Sequence, residues 1–268
     1  MIVSYFMKKT KIAISLDAGL LSEVDSRVDG KIIRSRSQAM EVFLRKGLFE
    51  SDARIAVILL KGEHQKYALK EIDGKPLILK QVAFFAQHGI ESVLVVTQKS
   101  DSSLRFMNEL TKTKLPVKVV EDDAKGTAQA MLAIKEHLKS PFVVQSGDTY
   151  TEFDLSKMIR KLLSSTQVAV MGLMSRNKTE QYGTAVLDGD LIVSFEEKKP
   201  DQESFVVNAG IYVFKPEVFD FISSTAKSLE KDVFTKLAHE RQLLGFFTHG
   251  VYVHAPEIEA HDKQKDNS

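Results

Sequence analysis

The sequence predicts an α/β protein made of two units: a small N-terminal unit of one strand and two helices, and a larger unit around a mixed, mostly parallel sheet. The chain has 268 residues, which is longer than one average domain. Its first fifty residues change from strand-like alternation to helical periodicity. From residue 53 onward, apolar strand-like runs alternate with amphipathic helices, which is typical of right-handed crossovers between parallel strands. We place the units at 8–50 and 53–258, followed by a polar tail at 259–268.

The composition excludes several classes of protein. With 43% hydrophobic and 27% charged residues, disorder, collagen and coiled coil do not describe the whole chain. The longest apolar run, IAVILL at 55–60, has the length of a buried strand, whereas a membrane span needs roughly 20 residues. The chain contains no cysteine, which excludes disulfides and thiolate metal sites. The first residues make a poor signal peptide, so we expect a cytoplasmic protein.

Charge is unevenly distributed along the chain. The first fifty residues hold nine basic and six acidic groups, whereas the remaining 218 hold 28 basic and 30 acidic groups. A basic N-terminal unit on a nearly neutral body is the pattern of a nucleic-acid-binding appendage.

The first unit is predicted to start with a strand from Lys9 to Leu16, in which apolar and polar residues alternate strictly. Asp17 is placed to cap a first amphipathic helix that ends at Gly30. Ser35 begins a second helix, with Gln38 reaching back in a capping box. A strand and two short helices cannot bury a sufficient core, so we expect a second copy of the chain to supply a pairing strand.

This order of elements resembles the ribbon-helix-helix family of dimeric repressors, of the Arc/MetJ type. The resemblance implies that the paired strands enter the DNA major groove, while the start of the second helix clamps a phosphate. The residues that it places on DNA are Lys9, Lys11, Ala13, Ser15, Arg34, Ser35, Arg36 and Ser37. The alternative is that the strand only dimerises the protein, with its lysines as solvated edge residues.

Loops at the predicted strand ends of the second unit carry an ordered series of motifs: KGTAQAM, VVQSGD, QYGTAVLDGD, FEEK and VNAGIYVF. Together they resemble the sugar-1-phosphate nucleotidylyltransferases, which have a Rossmann-like sheet of the GT-A type. The resemblance implies that Gly126, Thr127 and Ala128 contact a nucleotide base and that Asp148 holds Mg²⁺. It implies that the sugar side is lined by Tyr182, Gly183, Glu197, Lys198 and Asn208.

The second unit departs from this family where phosphate and metal are bound. The family's glycine-rich loop after its first strand is reduced to one glycine without the arginine, and Tyr67 stands in place of a lysine. The segment that carries the family's second metal carboxylate has Tyr252 or a neighbour in its place. A single carboxylate binds hydrated Mg²⁺ poorly, so the sequence predicts a binding pocket with no catalytic residues and no required cofactor. His254 and His261 are expected to be surface residues.

The preferred interpretation is therefore a DNA-binding transcriptional regulator, a homodimer or larger oligomer. Its catalytically degraded nucleotidyltransferase-like domain would sense a nucleotide, sugar nucleotide or sugar phosphate, or would drive oligomerisation. The alternative is an active sugar-1-phosphate nucleotidylyltransferase that uses Mg²⁺ and carries an N-terminal dimerisation or autoregulatory domain. In a third interpretation the motifs persist only as turns and caps of an inert scaffold.

Overall fold

The computed structural model describes residues 12–30, 33–49, 53–177, 179–199, 204–247 and 251–256. Contacts divide the chain into two compact units, Met1–Glu50 and Ser51–Ser268, which we describe separately. Within the described residues, no helix has both the length and the apolar character that crossing a membrane requires.

The first unit contains two helices joined by a polar turn. Helix α1 (Ala18–Ser26) starts at Asp17, whose side chain accepts a hydrogen bond from a first-turn amide at 2.9 Å, as the sequence predicts. Helix α2 (Arg36–Phe49) follows Ser35, whose hydroxyl accepts from the Gln38 amide at 3.2 Å. The two helices and their caps are therefore encoded locally.

Arg36, which the sequence places on DNA, is used inside the first unit. Its guanidinium donates two hydrogen bonds of 2.6 Å to the Asp25 carboxylate. This bidentate pair joins the start of α2 to the end of α1.

The strand predicted from Lys9 to Leu16 is not formed in the part of it that the structure describes. Residues 12–17 have no regular secondary structure, and Lys9 and Lys11 lie outside the described residues. Ile12 and Ile14 are 75% and 54% exposed. A strand is stabilised by the hydrogen-bonded ladder with a neighbour, and no described strand of this chain pairs with the segment.

The second unit is built from short strands and helices. The strands are β1 (Ile55–Leu60), β2 (Glu71–Ile72), β3 (Lys75–Pro76), β4 (Ser92–Thr97), β5 (Val117–Glu121), β6 (Phe142–Ser146), β7 (Thr149–Thr151), β8 (Ala169–Ser175), β9 (Gly183–Asp188), β10 (Leu191–Glu197), β11 (Val206–Phe214), β12 (Leu243–Phe247) and β13 (Tyr252–His254). The α-helices are α3 (Gln65–Ala68), α4 (Leu77–Gln87), α5 (Ser103–Leu110), α6 (Thr127–Ala133), α7 (Leu155–Leu163) and α8 (Thr235–His239). Short 3₁₀ helices lie at Gly62–His64, Lys135–His137 and Pro216–Phe221, and a π-helix lies at Leu229–Phe234.

The main sheet has the strand order β5-β4-β1-β6-β11-β8-β12-β10-β9. Strands β5, β4, β1 and β6 are parallel, as are β8 and β12, whereas β11 runs antiparallel to both β6 and β8. Strand β10 is antiparallel to both β12 and β9. The described sheet is therefore mixed, as the sequence predicts: β10 and β11 run opposite to the other seven strands. A physical reason for the direction of β10 is the tight turn between β9 and β10, where Gly189 has φ +60°, because so short a connection permits only antiparallel pairing.

Helices cover both faces of the sheet. Successive residues of β1 point to opposite cores, so that Val57 belongs to the cluster that includes residues of α6 and α8. Ile58 belongs to the cluster that includes residues of α4 and α7. Both side chains are fully buried, which explains why β1 reads as a continuous apolar run rather than an alternating one.

The register of the parallel strands positions the functional loops. Leu59 of β1 is paired with Val96 of β4 on one side and with Ser146 of β6 on the other. The carboxyl ends of β1, β4 and β6 therefore lie level, and the loops that follow them share one edge of the sheet.

Candidate active site

A cavity of about 840 Å³ lies at the carboxyl ends of β1, β4 and β6. Its lining also includes residues of β9, β10, β11 and β13 and of the segment before the π-helix. Ligands in open α/β sheets bind at this edge, and the volume is that of a small-molecule or cofactor site.

The loop after β1 is short and held by the end of β4. A Cβ on Gly62 would lie 2.9 Å from the Lys99 carbonyl oxygen, so only glycine allows this approach. The Gly62 amide donates to Gln98 Oε1 at 2.7 Å, and Gln98 Nε2 donates to the Ala124 carbonyl at 2.9 Å. One glutamine side chain thus links the loop after β1 to the loop after β5.

A buried amide supports the same loop from behind. Gln65 is 1% exposed, and its Nε2 donates to Thr97 Oγ1 at 3.0 Å and to the Gln98 carbonyl at 2.8 Å. Its Oε1 accepts from the hydroxyls of Ser100 and Ser103 at 2.7 and 3.1 Å. A buried amide with all these partners is held rigidly, and so is the residue before it, His64.

Asp148 follows β6 and is paired with His64. His64 Nδ1 donates to Asp148 Oδ2 at 3.1 Å, with both side chains partly buried. Burial is the largest influence on the pKa of Asp148 and raises it. The hydrogen bond from His64 and the neighbouring His254 and His64 imidazoles together hold that pKa below its usual value. Asp148 is therefore ionised at neutral pH.

The Asp148 side chain offers a carboxylate to a metal ion. Mg²⁺ is usually bound through one or two carboxylates and completed by substrate phosphates and water. Tyr252 and His254 line the cavity where the family resemblance places a second carboxylate. Across the described ranges, no group of three or more His, Cys, Asp or Glu residues is arranged to hold a metal ion. The site fits a Mg²⁺ ion that comes with a triphosphate, not an ion held by protein groups alone.

Gly126, Thr127 and Ala128 lie where α6 begins and pack against the segment before the π-helix. The Ala128 amide donates to the Lys227 carbonyl at 3.0 Å, and Thr127 Oγ1 accepts from the Leu229 amide at 2.8 Å. Gly126 and Thr127 line the cavity, whereas the Ala128 side chain is fully buried. Gly126 and Thr127 are thus placed to touch a ligand, and Ala128 supports them.

Asn208 sits in an irregular part of β11, where the pairing with β8 shifts register. Its Nδ2 donates to the buried Tyr212 hydroxyl at 2.7 Å, and its Oδ1 accepts from the Gly210 amide at 2.8 Å. Gly210 has φ +68°, which is a conformation that favours glycine. The bulge fixes the orientation of the Asn208 amide at the cavity.

Aromatic rings line the same end of the cavity. The centroid of the Tyr182 ring lies 6.4 Å from those of Tyr252 and His254, and the Arg176 guanidinium lies 5.1 Å from the Tyr252 centroid. Gly183 must be glycine, because a Cβ would lie 2.3 Å from the Phe195 ring. This end of the cavity therefore offers flat apolar surface beside hydrogen-bonding groups.

Glu197 and Lys198 lie at the end of β10. Burial, followed by repulsion from Glu230, raises the pKa of Glu197. Lys198 has φ +50°, and its amide donates to the Tyr182 carbonyl at 3.2 Å. A non-glycine residue in such a sparsely populated region costs on the order of 1–3 kcal/mol and is often found at functional sites.

Replacing Glu197 with Gln is expected to increase the free energy of unfolding at pH 7, because a neutral amide avoids both the burial of charge and the repulsion from Glu230. The raised pKa means that the folded protein binds this proton more tightly than the unfolded chain does. The parent therefore loses stability as pH rises from the ordinary value of 4.5 to the higher folded value. Urea unfolding at pH 3 and pH 7 measures the free energy of unfolding of E197Q and of the parent. We expect the variant to be more stable than the parent at pH 7 and equally stable at pH 3. A parent more stable than E197Q at pH 7 would contradict the argument.

The structure brings most of the predicted ligand-binding residues to one cavity. Those that line it are Gly126, Thr127, Asp148, Tyr182, Gly183, Glu197, Lys198 and Asn208. Their individual roles stay predictions. His254, expected on the surface, also lines the cavity, and His261 lies outside the described residues.

Sequence reasoning missed several cavity residues. Gln98 directly follows β4, so the rule that ligands bind at carboxyl ends of strands could have found it. The same rule could have found Lys61 and His64, which lie in the shortened loop after β1. No local pattern marks Glu230 or His254 as cavity residues. His254 reaches the cavity because β13 pairs with β7, and Glu230 because it accepts a hydrogen bond from Thr127, which is distant in the sequence.

The fold and its cavity define a Rossmann-like α/β protein with a site of nucleotide size at the carboxyl edge of its sheet. The profile of the Nucleotidyl transferase family matches residues 61–251, and the chain belongs to this family.

The curated relatives agree with this membership. The chain is 28% identical over 196 residues to a probable mannose-1-phosphate guanylyltransferase 3 of Arabidopsis thaliana, covering 69% of this chain and 59% of the relative. It is 30% identical over 173 residues to a putative mannose-1-phosphate guanyltransferase of Sulfolobus acidocaldarius, covering 63% of this chain and 48% of the relative. The chain spans about half the length of the curated relatives it matches.

Solved structures share the fold. HddC from Yersinia pseudotuberculosis superimposes with a TM-score of 0.65 at 21% identity, covering 79% of this chain and 99% of the other. A UDP-glucose pyrophosphorylase complexed with UDP-glucose gives a TM-score of 0.65 at 17% identity, covering 78% of this chain and 95% of the other.

The interpretation as a DNA-binding transcriptional regulator with a catalytically degraded domain is wrong. The relatives are mannose-1-phosphate guanylyltransferases, which favours the alternative of a working enzyme. The family match lies wholly within the second unit, and none of these findings supports a ribbon-helix-helix domain, transcription regulation or a pseudoenzyme. None of these findings supports the predicted DNA contacts either, which were assigned to Lys9, Lys11, Ala13, Ser15, Arg34, Ser35, Arg36 and Ser37. The expectation of a degraded site rested on the shortened loop after β1, where the structure places His64 beside Asp148 and Gln98 against the Gly62 amide.

Proposed function

We propose that the second unit transfers a nucleotidyl group from a nucleoside triphosphate to a sugar 1-phosphate, with GTP and mannose 1-phosphate as its substrates. The observation that carries the proposal is the ionised Asp148, paired with His64 in a cavity large enough for a nucleotide. The choice of substrates is supported by the names of the relatives, which are mannose-1-phosphate guanylyltransferases.

In this reaction a phosphate oxygen of the sugar 1-phosphate attacks the α-phosphorus of the triphosphate in line, and pyrophosphate leaves. Little covalent chemistry is required of the protein, so catalysis rests on positioning and on neutralising phosphate charge. Lys61, His64 and Lys198 line the same cavity as Asp148 and would neutralise or hydrogen-bond the phosphates. The hydrogen bonds of Gln65 and Gln98 would keep this short loop in place while the substrates bind.

We propose that Asp148 would be the protein ligand of the Mg²⁺ that nucleotidyltransferases of this family typically use, with the triphosphate supplying further ligands. This replaces the expectation that no cofactor is required. When bound, the ion would stabilise negative charge on the phosphate oxygens.

The sugar would bind at the end of the cavity formed by β9, β10, β11 and β13. Tyr182 and Tyr252 offer aromatic surface to the apolar face of a sugar ring. Glu197 and Asn208 offer hydrogen-bonding groups to its hydroxyls.

The proposal is tested by incubating the full chain with each of the common nucleoside triphosphates, Mg²⁺ and a panel of sugar 1-phosphates, and by measuring pyrophosphate release. We expect release to depend on both substrates and on the metal, and to be fastest with GTP and mannose 1-phosphate. Absence of release with every combination, from a protein that is folded by circular dichroism, would overturn the proposal.

We also propose that the first unit associates with a second copy of the chain. Ile12, Ile14 and Leu16 form an alternating apolar row with exposed fractions of 75%, 54% and 37%. An antiparallel pairing of two such rows would bury these side chains and complete the backbone hydrogen bonds.

Replacing Ile14 with Asp is expected to convert a dimer into a monomer, because the carboxylate would be buried at the pairing surface. Ala13→Asp is the matched control, since Ala13 alternates with these side chains. Size-exclusion chromatography with light scattering measures both variants. A monomeric parent, or an I14D variant that dimerises as tightly as the parent, would refute the proposed association.

A further inference from the structure

Asp122 stands at the opposite end of the cavity from the proposed sugar side. It follows β5, the edge strand next to β4, whereas Asn208 lies on β11 beyond β6. His64 and Asp148 lie between them, after β1 and β6. A triphosphate over this central part would place its base beside the ends of β4 and β5 and the acceptor sugar beside β11.

The backbone on both sides of Asp122 is fixed. The Asp122 amide donates to the Thr97 carbonyl at 3.0 Å, and the Ala124 carbonyl accepts from Gln98 Nε2 at 2.9 Å. A side chain held between two such anchors has a defined position relative to a bound ligand, which is a condition for selecting among ligands of similar size.

The three carboxylates in this loop differ in their surroundings. Glu121 and Asp123 are exposed, and Glu121 lies 3.6 Å from Lys99 Nζ in an ion pair. Asp122 is half-buried and lines the cavity. Within the part of the chain that the structure describes, its carboxylate has no hydrogen-bond or ion-pair partner, so both oxygens are available to a molecule in the cavity.

A carboxylate distinguishes guanine from the other bases. Guanine presents N1–H and the 2-amino group side by side, which matches the two oxygens of one carboxylate. Uracil and thymine flank their single N–H with carbonyl oxygens, which a carboxylate repels. Adenine and cytosine place an acceptor ring nitrogen next to their amino group and can donate only once. Both the attraction to guanine and the repulsion of its competitors therefore contribute to selectivity.

We infer that Asp122 is the specificity-determining residue for the base, and that its carboxylate accepts hydrogen bonds from N1–H and the 2-amino group of guanine. The inference rests on the proposed function for the nature of the substrate, and it deepens that proposal by naming the group that reads the base.

The test compares GTP with ITP, whose base lacks only the 2-amino group, for the parent, Asp122→Asn and the control Asp123→Asn. Nucleotide affinity is measured by calorimetry on the full chain without sugar phosphate, and kcat/KM is measured with it. We expect the parent and D123N to prefer GTP over ITP on the order of tenfold, as one charge-assisted hydrogen bond allows. In D122N the preference should fall to about one, since an amide offers the 2-amino group no second acceptor.

A D122N variant that keeps the parental GTP to ITP ratio would overturn the inference, as would a parent with no preference. Pyrophosphate release with any nucleotide would keep the proposed function intact in either case. If nothing is turned over, the calorimetric ratio still decides the role of Asp122, and a protein that binds no nucleotide refutes both statements.

Discussion

Replacing Asp148 with Asn should lower kcat for nucleotidyl transfer by roughly 10²–10³-fold, as expected for a group that stabilises charge in a transition state. Asn keeps the shape of the side chain but removes the negative charge that His64 and His254 support. Pyrophosphate release at saturating GTP and mannose 1-phosphate measures the effect. Since the pKa of Asp148 is lowered, its ionisation should not limit activity until the pH is well into the acid range.

The matched control for this prediction is Asp73→Asn, which makes the same chemical change in an exposed turn. This variant should keep the parental kcat. A second measurement tests the proposed role in metal binding: Mg²⁺ should strengthen nucleotide binding to the parent much more than to D148N. A D148N enzyme within threefold of the parental rate would remove Asp148 from the reaction.

Replacing Gly126 with Ala should both destabilise the second unit and impair nucleotide binding. The added Cβ would lie 2.0 Å from the Lys227 carbonyl oxygen, and this backbone atom cannot move aside as a flexible side chain could. Its displacement would break the bond from the Ala128 amide and disturb the bond between Thr127 and Leu229. Overpacking of this kind costs about 1–3 kcal/mol.

Urea unfolding and GTP calorimetry of the full chain measure the two effects of G126A separately. We expect a loss of stability in the range given above and about a tenfold or larger loss of GTP affinity, because the loop lies at the cavity. Asp123→Ala, a change at an exposed neighbour, should alter neither property. If G126A matches the parent in both measurements, the contact with Lys227 does not constrain this loop.

A physical link connects the stability of this protein with its proposed activity. Glu197 is an acid whose buried position raises its pKa, and Lys198 next to it occupies a strained backbone conformation. Neither feature stabilises the fold, and both lie at the cavity. Variants that relieve them are expected to be more stable and less active, which is a common relation at active sites.

In the N-terminal unit, local sequence patterns are sufficient to predict the helices but not the pairing of the strand. The two helices and the cap at Asp17 follow from sequence neighbours, and the structure confirms them, although α1 ends at Ser26 rather than at Gly30. The predicted strand before them depends on a partner outside the chain, so its alternation could not show whether it pairs. The function inferred from that pairing was wrong, because a regular pattern in forty residues says little about the ligand of the other two hundred.

The amino-acid sequence by itself determined the alternation of strands and helices and the loops that carry Gly126, Asp148, Tyr182 and Asn208. These properties depend on residues near one another in the chain, whose periodicity and turn chemistry act locally. Only the tertiary structure decided that β11 lies antiparallel between β6 and β8, and that His64, Gln98 and Asp122 share a cavity with His254. The physical reason is that these placements depend on which distant strands become hydrogen-bonded neighbours, and that choice is made by burial over the whole sheet.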